Sequence, residues 1–132
     1  MQEEEYNIIT HQIIKCAIEV HRNLGPGLME SVYEICLYKE LRQGGLQINR
    51  QIILPVIYKG EQLEKDFIID QLIENEIILE LKSVEGLLPV HEAQLLTCLK
   101  LSGKKIGLLI NFNVMVLKDG IRRKINGNLN YK

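Results

Sequence analysis

Two apolar runs, FIID and EIILELK, lie so close together between Lys65 and Ser83 that as strands they can pair only with each other, as a hairpin. Charges sit inside both runs: Asp70 in the first, Glu80 and Lys82 in the second. Side chains alternate along a strand, so Ile78, Glu80 and Lys82 share one face and Ile77, Leu79 and Leu81 the other. The same count puts Asp66, Ile68, Asp70 and Leu72 on one face and Phe67 and Ile69 on the opposite one. A loop centred on Asn75, a residue that tolerates left-handed backbone, sets Asp70 directly opposite Glu80. A two-residue loop at Glu74-Asn75 would shift the register and turn Asp70 away, so an odd-length loop or a bulge is expected. Adjacent carboxylates stay ionised only with a cation between them or with good screening by water. Oxygen donors from Asp and Glu suit a hard divalent ion, Mg2+ or Mn2+. Lys82 beside such an ion could position a water or offset phosphate charge. These parts fit metal-assisted hydrolysis of a phosphodiester. A Glu-x-Lys pair on a half-exposed strand is also ordinary solvated decoration, although charges within IILELK are poorly explained as surface.

The rest of the chain supplies helices around that hairpin. NIITHQIIKCAIEVHRNLG carries Ile9, Ile13, Cys16, Ala17, Val20 and Leu24 at helical spacing and stops at Gly25-Pro26-Gly27. LMESVYEICLYKELRQGG forms a second helix, with Val32, Ile35, Cys36 and Leu41 in its apolar stripe and Gly44-Gly45 at its end. LQINRQIILPVIYKG reads as the first strand, before the hairpin pair. LPVHEAQLLTCLKLSG returns to helical spacing, with Pro89 suited to a first turn and Gly103 to the stop. KKIGLLINF is an apolar run expected to be covered on both faces. VMVLKDGI reads as a last strand that reaches a turn at Asp119-Gly120. The expected order is α-α-β-β-β-α-β-β, a single α/β domain spanning 1-132 with helices against a mixed sheet.

Composition removes several classes. The formal net charge is −1, far from the strongly basic balance of a protein that coats a duplex. Cys16, Cys36 and Cys98 form no CxxC pair and fit reduced, mostly buried thiols in a cytoplasmic protein. The start MQEEEYNIIT lacks the pattern of a signal peptide, and no apolar run approaches the ~20 residues of a membrane span, so no membrane partner is expected.

Asp70 followed by Glu80-Leu81-Lys82 resembles the signature of the PD-(D/E)XK, or restriction-endonuclease-like, nuclease superfamily, with Ile69 where the pattern has Pro. HEAQLLTCLK resembles the Gln-x-x-x-Tyr element of one branch, with Gln94 in the Gln place and Cys98 in the Tyr place. GLMESVY, Gly27 to Tyr33, is similar to the GxxExxY motif that names a bacterial and archaeal family of the superfamily, and LLINF and LKDGIRR look like that family too. The resemblance runs from about Ile13 to Ile125. It implies a restriction-endonuclease-like core, with Asp70 and Glu80 as metal ligands and the Leu81 carbonyl as a backbone ligand. Lys82 would orient or help activate the attacking water. Glu30 would add an acidic residue near the metal, and Gln94 would orient Lys82, water or phosphate.

Other readings stand beside these roles. Glu30 in a first turn also favours the helix dipole. Tyr33 fits a core aromatic with a satisfied hydroxyl. Cys98 cannot reproduce the reach of a Tyr hydroxyl, and nothing near it in sequence makes it a nucleophile. His11 and His21 read as helix-face residues, while His91, one turn before Gln94, could line a cleft. Arg122, Arg123 and Lys124 form the densest basic group and could contact phosphates, though a solvated strand end or tail is the commoner explanation. The expectation is a cytoplasmic Mg2+ (or Mn2+) dependent nuclease acting on DNA, with RNA the second choice. The alternative is a nuclease scaffold without catalysis that binds nucleic acid or a protein partner. Small nuclease domains often dimerise, so a homodimer is allowed, although no residue demands one.

Overall fold

The computed structural model describes residues 1–127. Helix α1 spans Glu3–Leu24 and α2 spans Glu30–Gln43. Strands β1 (Ile48–Tyr58), β2 (Glu61–Ile73) and β3 (Ile77–Lys82) follow, then α3 (Pro89–Ser102), β4 (Ile106–Asn111) and β5 (Ile121–Ile125). The strands lie in chain order in one sheet. Only β3 and β4 are parallel, joined by the α3 crossover, and the other neighbours are antiparallel. The α/β order expected from the sequence is therefore the observed one.

Each face of the sheet has its own core. On one face Ile13, Ala17 and Val20 of α1 and Tyr33, Leu37 and Leu41 of α2 cover Leu79, Leu81, Leu108 and Ile110. On the other, Leu95, Cys98 and Leu99 of α3 cover Ile78 and Leu109. β4, buried along its whole length, lies between both layers, as its unbroken apolar sequence requires. The stripe of α2 differs from the expected one. Tyr33, Leu37 and Leu41 face inward at i, i+4 and i+8, whereas Ile35 is 46 % exposed and Val32 and Cys36 are half-buried.

The hairpin loop is Glu74-Asn75-Glu76, with Gln71↔Leu79, Leu72↔Ile78 and Ile73↔Ile77 paired. Glu74 and Asn75 both take left-handed backbone, at φ 53° and 58°. Glu74 is held there by two bonds to Gln47: its N–H donates to the Gln47 carbonyl (2.8 Å) and its carboxylate accepts the Gln47 N–H (2.7 Å). An odd loop centred on Asn75 is what the alternation argument requires.

Two further expectations fail. The alternation in β2 does not run through Asp70. Ile73 joins the core under α1 and α2, whereas Phe67 and Ile69, at the same parity, join the α3 side together with Leu72. β1 does the same: Ile48 packs under α1 and α2, and Ile52 and Leu54 pack on the α3 side. The crossover point is Gln51, at φ 50°, opposite Asp70; the pairs Arg50↔Gln71 and Ile52↔Ile69 flank it in unchanged register. A left-handed residue there rolls the ribbon over and exchanges its faces. Nor is VMVLKDGI a strand. Leu117–Gly120 is a 3-10 turn, and β5 begins only at Ile121, so the basic run lies within the strand. Asn111, buried at the end of β4, accepts the Val84 and Asn113 N–H groups and returns a bond to the Val84 carbonyl, which bends the chain immediately. Gly120 then passes so close to the Asn111 carbonyl that a Cβ would stand 2.2 Å from its oxygen. The apolar look of VMV is superficial, with Met115 86 % exposed.

At the outer end of the ribbon the β1–β2 register shifts between Pro55 and Ile57. No helix among the described residues is long and apolar enough to cross a membrane.

Candidate active site

The site forms where β2 peels away from β3. Continued past Gln71↔Leu79, the register brings Asp70 opposite Glu80, but the roll at Gln51 ends the ladder just before that pair. The Asp70 side chain replaces the missing main-chain partner: its Oδ2 accepts the Leu81 N–H at 2.8 Å. Peptide groups alternate in direction along a strand. The Lys82 carbonyl accepts the Phe112 N–H on the β4 side. The Leu81 carbonyl therefore points, with its own N–H, toward the gap beside β2. Leu81 and Asp70 line the same cleft, of about 390 Å3, together with Glu30, Glu34 and Arg50.

Charge is crowded here. Burial pushes the Glu80 carboxyl up to about 7; the Asp70 charge adds to this, Lys82 opposes it and Glu30 adds further. Asp70 is also raised, chiefly by burial; the Leu81 N–H and the Lys82 charge pull it back, while Glu30 and Glu34 push it up. The Lys82 ammonium stands 4.0 Å from Glu80 Oε2 as a loose, half-buried pair. Asp70 and Leu81 line the cleft, whereas Glu80 is not among its lining residues and is linked to Asp70 by the charge it feels. The donors nearby are all oxygen: two carboxylates whose mutual repulsion a divalent cation would relieve, and a main-chain carbonyl. That set fits Mg2+ or Mn2+. Among the described residues no group of three His, Cys, Asp or Glu side chains could hold a metal by itself, so the carbonyl and solvent would have to complete the shell.

The remaining residues singled out in the sequence are dispersed. Glu30 is exposed on the first turn of α2, at the cleft wall. Gln94 is exposed on α3, one turn before Cys98 and outside that cleft. The Cys98 thiol is pushed up to about 11 by burial and then by the Glu80 and Asp70 charges, so it stays protonated near neutral pH. His91 Nδ1 accepts the Leu88 N–H at 3.0 Å and caps α3, and His21 Nε2 donates to the Val114 carbonyl at 2.7 Å. The basic run does not form one patch. Lys124 pairs with Glu92 at 2.7 Å and Arg122 donates to the carbonyls of Asp119 and Ile121, whereas Arg123 bonds Asn7 of α1.

Tyr33 has the satisfied hydroxyl expected of it. It donates to the Gly25 carbonyl at 2.6 Å and accepts the Leu28 N–H at 3.1 Å, while its ring stacks on Phe112 at 4.4 Å. Ser83 donates to the Leu28 carbonyl at 2.6 Å. Leu28 is thus tied both to Tyr33 and to the residue after Lys82, which holds the start of α2, and Glu30 with it, near the end of β3.

A second polar group escaped the sequence reading. Arg50 on β1 grips Glu34 of α2 with two bonds, Nε to Oε2 at 2.9 Å and a terminal nitrogen to Oε1 at 2.5 Å, and its guanidinium lies 4.4 Å over the Tyr38 ring. Gln71 Nε2 donates to both the Glu34 carbonyl (2.8 Å) and Oε2 (2.7 Å). Burial alone would raise Glu34, but these bonds outweigh it and hold the carboxyl below its ordinary range. Gln71 Oε1 is buried without a hydrogen-bond partner. The available signal was the i, i+4 spacing of Glu30 and Glu34, which places both on one helix face.

The family model of the PD-(D/E)XK nuclease superfamily matches residues 7–124. No curated protein and no solved structure matches the chain.

Proposed function

Since the chain belongs to the PD-(D/E)XK nuclease superfamily, we propose that it is a Mg2+-dependent nuclease that hydrolyses phosphodiester bonds in DNA or RNA, of the GxxExxY branch through Gly27, Glu30 and Tyr33. Asp70, Glu80 and the Leu81 carbonyl would hold the ion, with Glu30 at its margin. Bound there, Mg2+ supplies Lewis acidity for attack on phosphorus and charge neutralisation of the phosphate. The observation that carries this reading is the Asp70–Leu81 bond next to Glu80, a carboxylate only 12 % exposed with the Lys82 ammonium 4.0 Å away. Carboxylates so crowded and half-buried are poor decoration but good cation ligands.

The chain's own groups then divide the work. The Lys82 ammonium, loosely paired with Glu80, is free to orient a water toward phosphorus and to offset charge on the pentavalent phosphate. The Leu81 N–H holds Asp70 through Oδ2, which leaves Oδ1 to be offered to the ion. Cys98 is buried in the core under α3, and its thiol, raised by burial and by the Glu80 charge, adds no charge of its own. Gln94, at i−4 from a thiol that feels the Glu80 charge, is assigned the steadying of Lys82 or of the phosphate.

The test is cleavage of a mixed set of DNA and RNA substrates with Mg2+ or Mn2+. Activity is expected to vanish in Glu80→Ala and Lys82→Ala; activity that survives in both belongs to a contaminant or to another site. Calorimetry should show Mn2+ binding that Asp70→Ala abolishes. A scaffold that only binds nucleic acid or protein would take up no Mn2+ at these residues.

A further inference from the structure

Every residue given a catalytic role above other than Lys82 and Gln94 is an acid or a main-chain carbonyl. A nucleic-acid phosphate approaching the Asp70 cleft therefore meets Glu30, Glu34 and Asp70, and repulsion follows unless a cation faces it. The cleft wall carries one cationic side chain among the described residues, Arg50. We propose that Arg50 is a phosphate-binding residue, a preset guanidinium fork that takes a non-bridging oxygen pair of a backbone phosphate next to the scissile one. This rests on the nuclease reading of the same site.

Three features distinguish Arg50 from an ordinary structural ion pair. The first is the orientation of the pair. The Glu34 side chain is 9 % exposed and that of Arg50 is 32 %, so the carboxylate lies behind and the guanidinium in front. Both groups line the cleft, and the guanidinium is the more open of the two to a solute there. The second is the remaining valence. Nε and one terminal nitrogen serve Glu34, which leaves the other terminal nitrogen, and one more N–H, on the edge turned away from Glu34. That edge matches two phosphate oxygens. The third is preorganisation. Glu34, itself fastened by Gln71, and the Tyr38 ring immobilise the guanidinium in advance, so little rotamer entropy is left to lose on binding. Arg50 pairs across the ladder with Gln71, the chain neighbour of Asp70, and lines the same cleft as Asp70. An ion pair kept only for stability has no need of this exposure, and an apolar pair would serve the fold as well.

The experiment uses fluorescence anisotropy of a labelled 12-nucleotide DNA, single-stranded and duplex, with Ca2+ to permit binding without turnover. The variant is the double substitution Arg50→Gln with Glu34→Gln. It removes both charges together and so avoids a stranded buried carboxylate. Its fold is checked by thermal melting. Binding is expected to weaken ~10-fold or more, and the slope of log affinity against log salt to fall by about one. Arg50→Lys should restore the slope without the full affinity. Unchanged affinity and slope in the double variant, or no binding of either DNA by the parent chain, overturns the assignment. Mn2+ calorimetry keeps the two claims apart. Metal uptake and cleavage with an unaffected double variant would leave the nuclease and remove Arg50's role. Binding through Arg50 without metal uptake would do the reverse.

Discussion

A carboxyl whose proton leaves only near pH 7 is an unusual thing to bury beside Asp70, and Glu80 does so at a cost to the fold. Its folded pKa lies above the ordinary 4.5, so the folded chain binds the extra proton. The stability this confers is complete below about 4.5 and is lost as pH climbs through 7. Without metal, melting temperature should therefore fall between pH 5 and 8, and Glu80→Gln should flatten that fall. At pH 8 the variant is expected to be more stable by roughly 1–3 kcal/mol, since one pKa unit is worth ~1.4 kcal/mol; an equal or lower stability there would mean that Glu80 is well solvated. A metal held by Glu80 as proposed would compete with the proton for the same oxygens. Mn2+ affinity measured by calorimetry should rise about tenfold per pH unit below 7 and level off above it, as expected for displacement of a single proton. Asp70, Glu80 and Lys82 could be picked out from the chain alone because a charge inside an apolar run is conspicuous. Arg50 and Glu34 could not, because neither interrupts such a run and their meeting depends on how α2 docks on β1.

The β1–β2 ribbon shows what periodicity can and cannot say about an element. The length of the β2–β3 loop followed from alternation and from one Asn, since a hairpin with a buried face tolerates a single register. The reversal of faces at Gln51 did not, because a left-handed residue inside a strand has no compositional mark when it is neither Gly nor Asn. Gln51 holds φ 50° where an extended value is cheaper by about 1–2 kcal/mol. Such strain persists where surrounding structure imposes it, and here it aims Asp70 into the gap. Gln51→Val, with a β-branched side chain that resists left-handed backbone, is expected to lose ~1–3 kcal/mol in denaturant unfolding and to lose Mn2+ binding as well. A variant as stable as the parent would mean that the roll is not imposed at this position. VMVLKDGI misled for the opposite reason. Three adjacent apolar residues suggest a strand, but Asn111 had already turned the chain.

Across the whole molecule, the two cores share β4, and the distance of α3 from the sheet decides how closely the α3 core packs on it. Gly107 sets that distance. A Cβ there would stand 2.7 Å from Leu95 Cδ1 and 3.1 Å from its Cγ. Gly107→Ala is expected to push α3 outward and to cost ~1–3 kcal/mol by thermal or denaturant unfolding; no loss would mean that Leu95 swings aside freely. The element order and the layering could be read in advance, because helical and strand periods alternate cleanly along the chain. The sheet's margins carry a further consequence. β1 and β5 are its outer strands. One contains Pro55, which has no N–H to offer, followed directly by a slip in register, and the other carries three consecutive cations, Arg122 to Lys124. A strand from another molecule finds a broken docking line on one border and, on the other, long charged side chains already tied to Glu92 and Asn7. Edge-to-edge pairing of two copies, and fibre-like stacking at high concentration, is opposed from both ends.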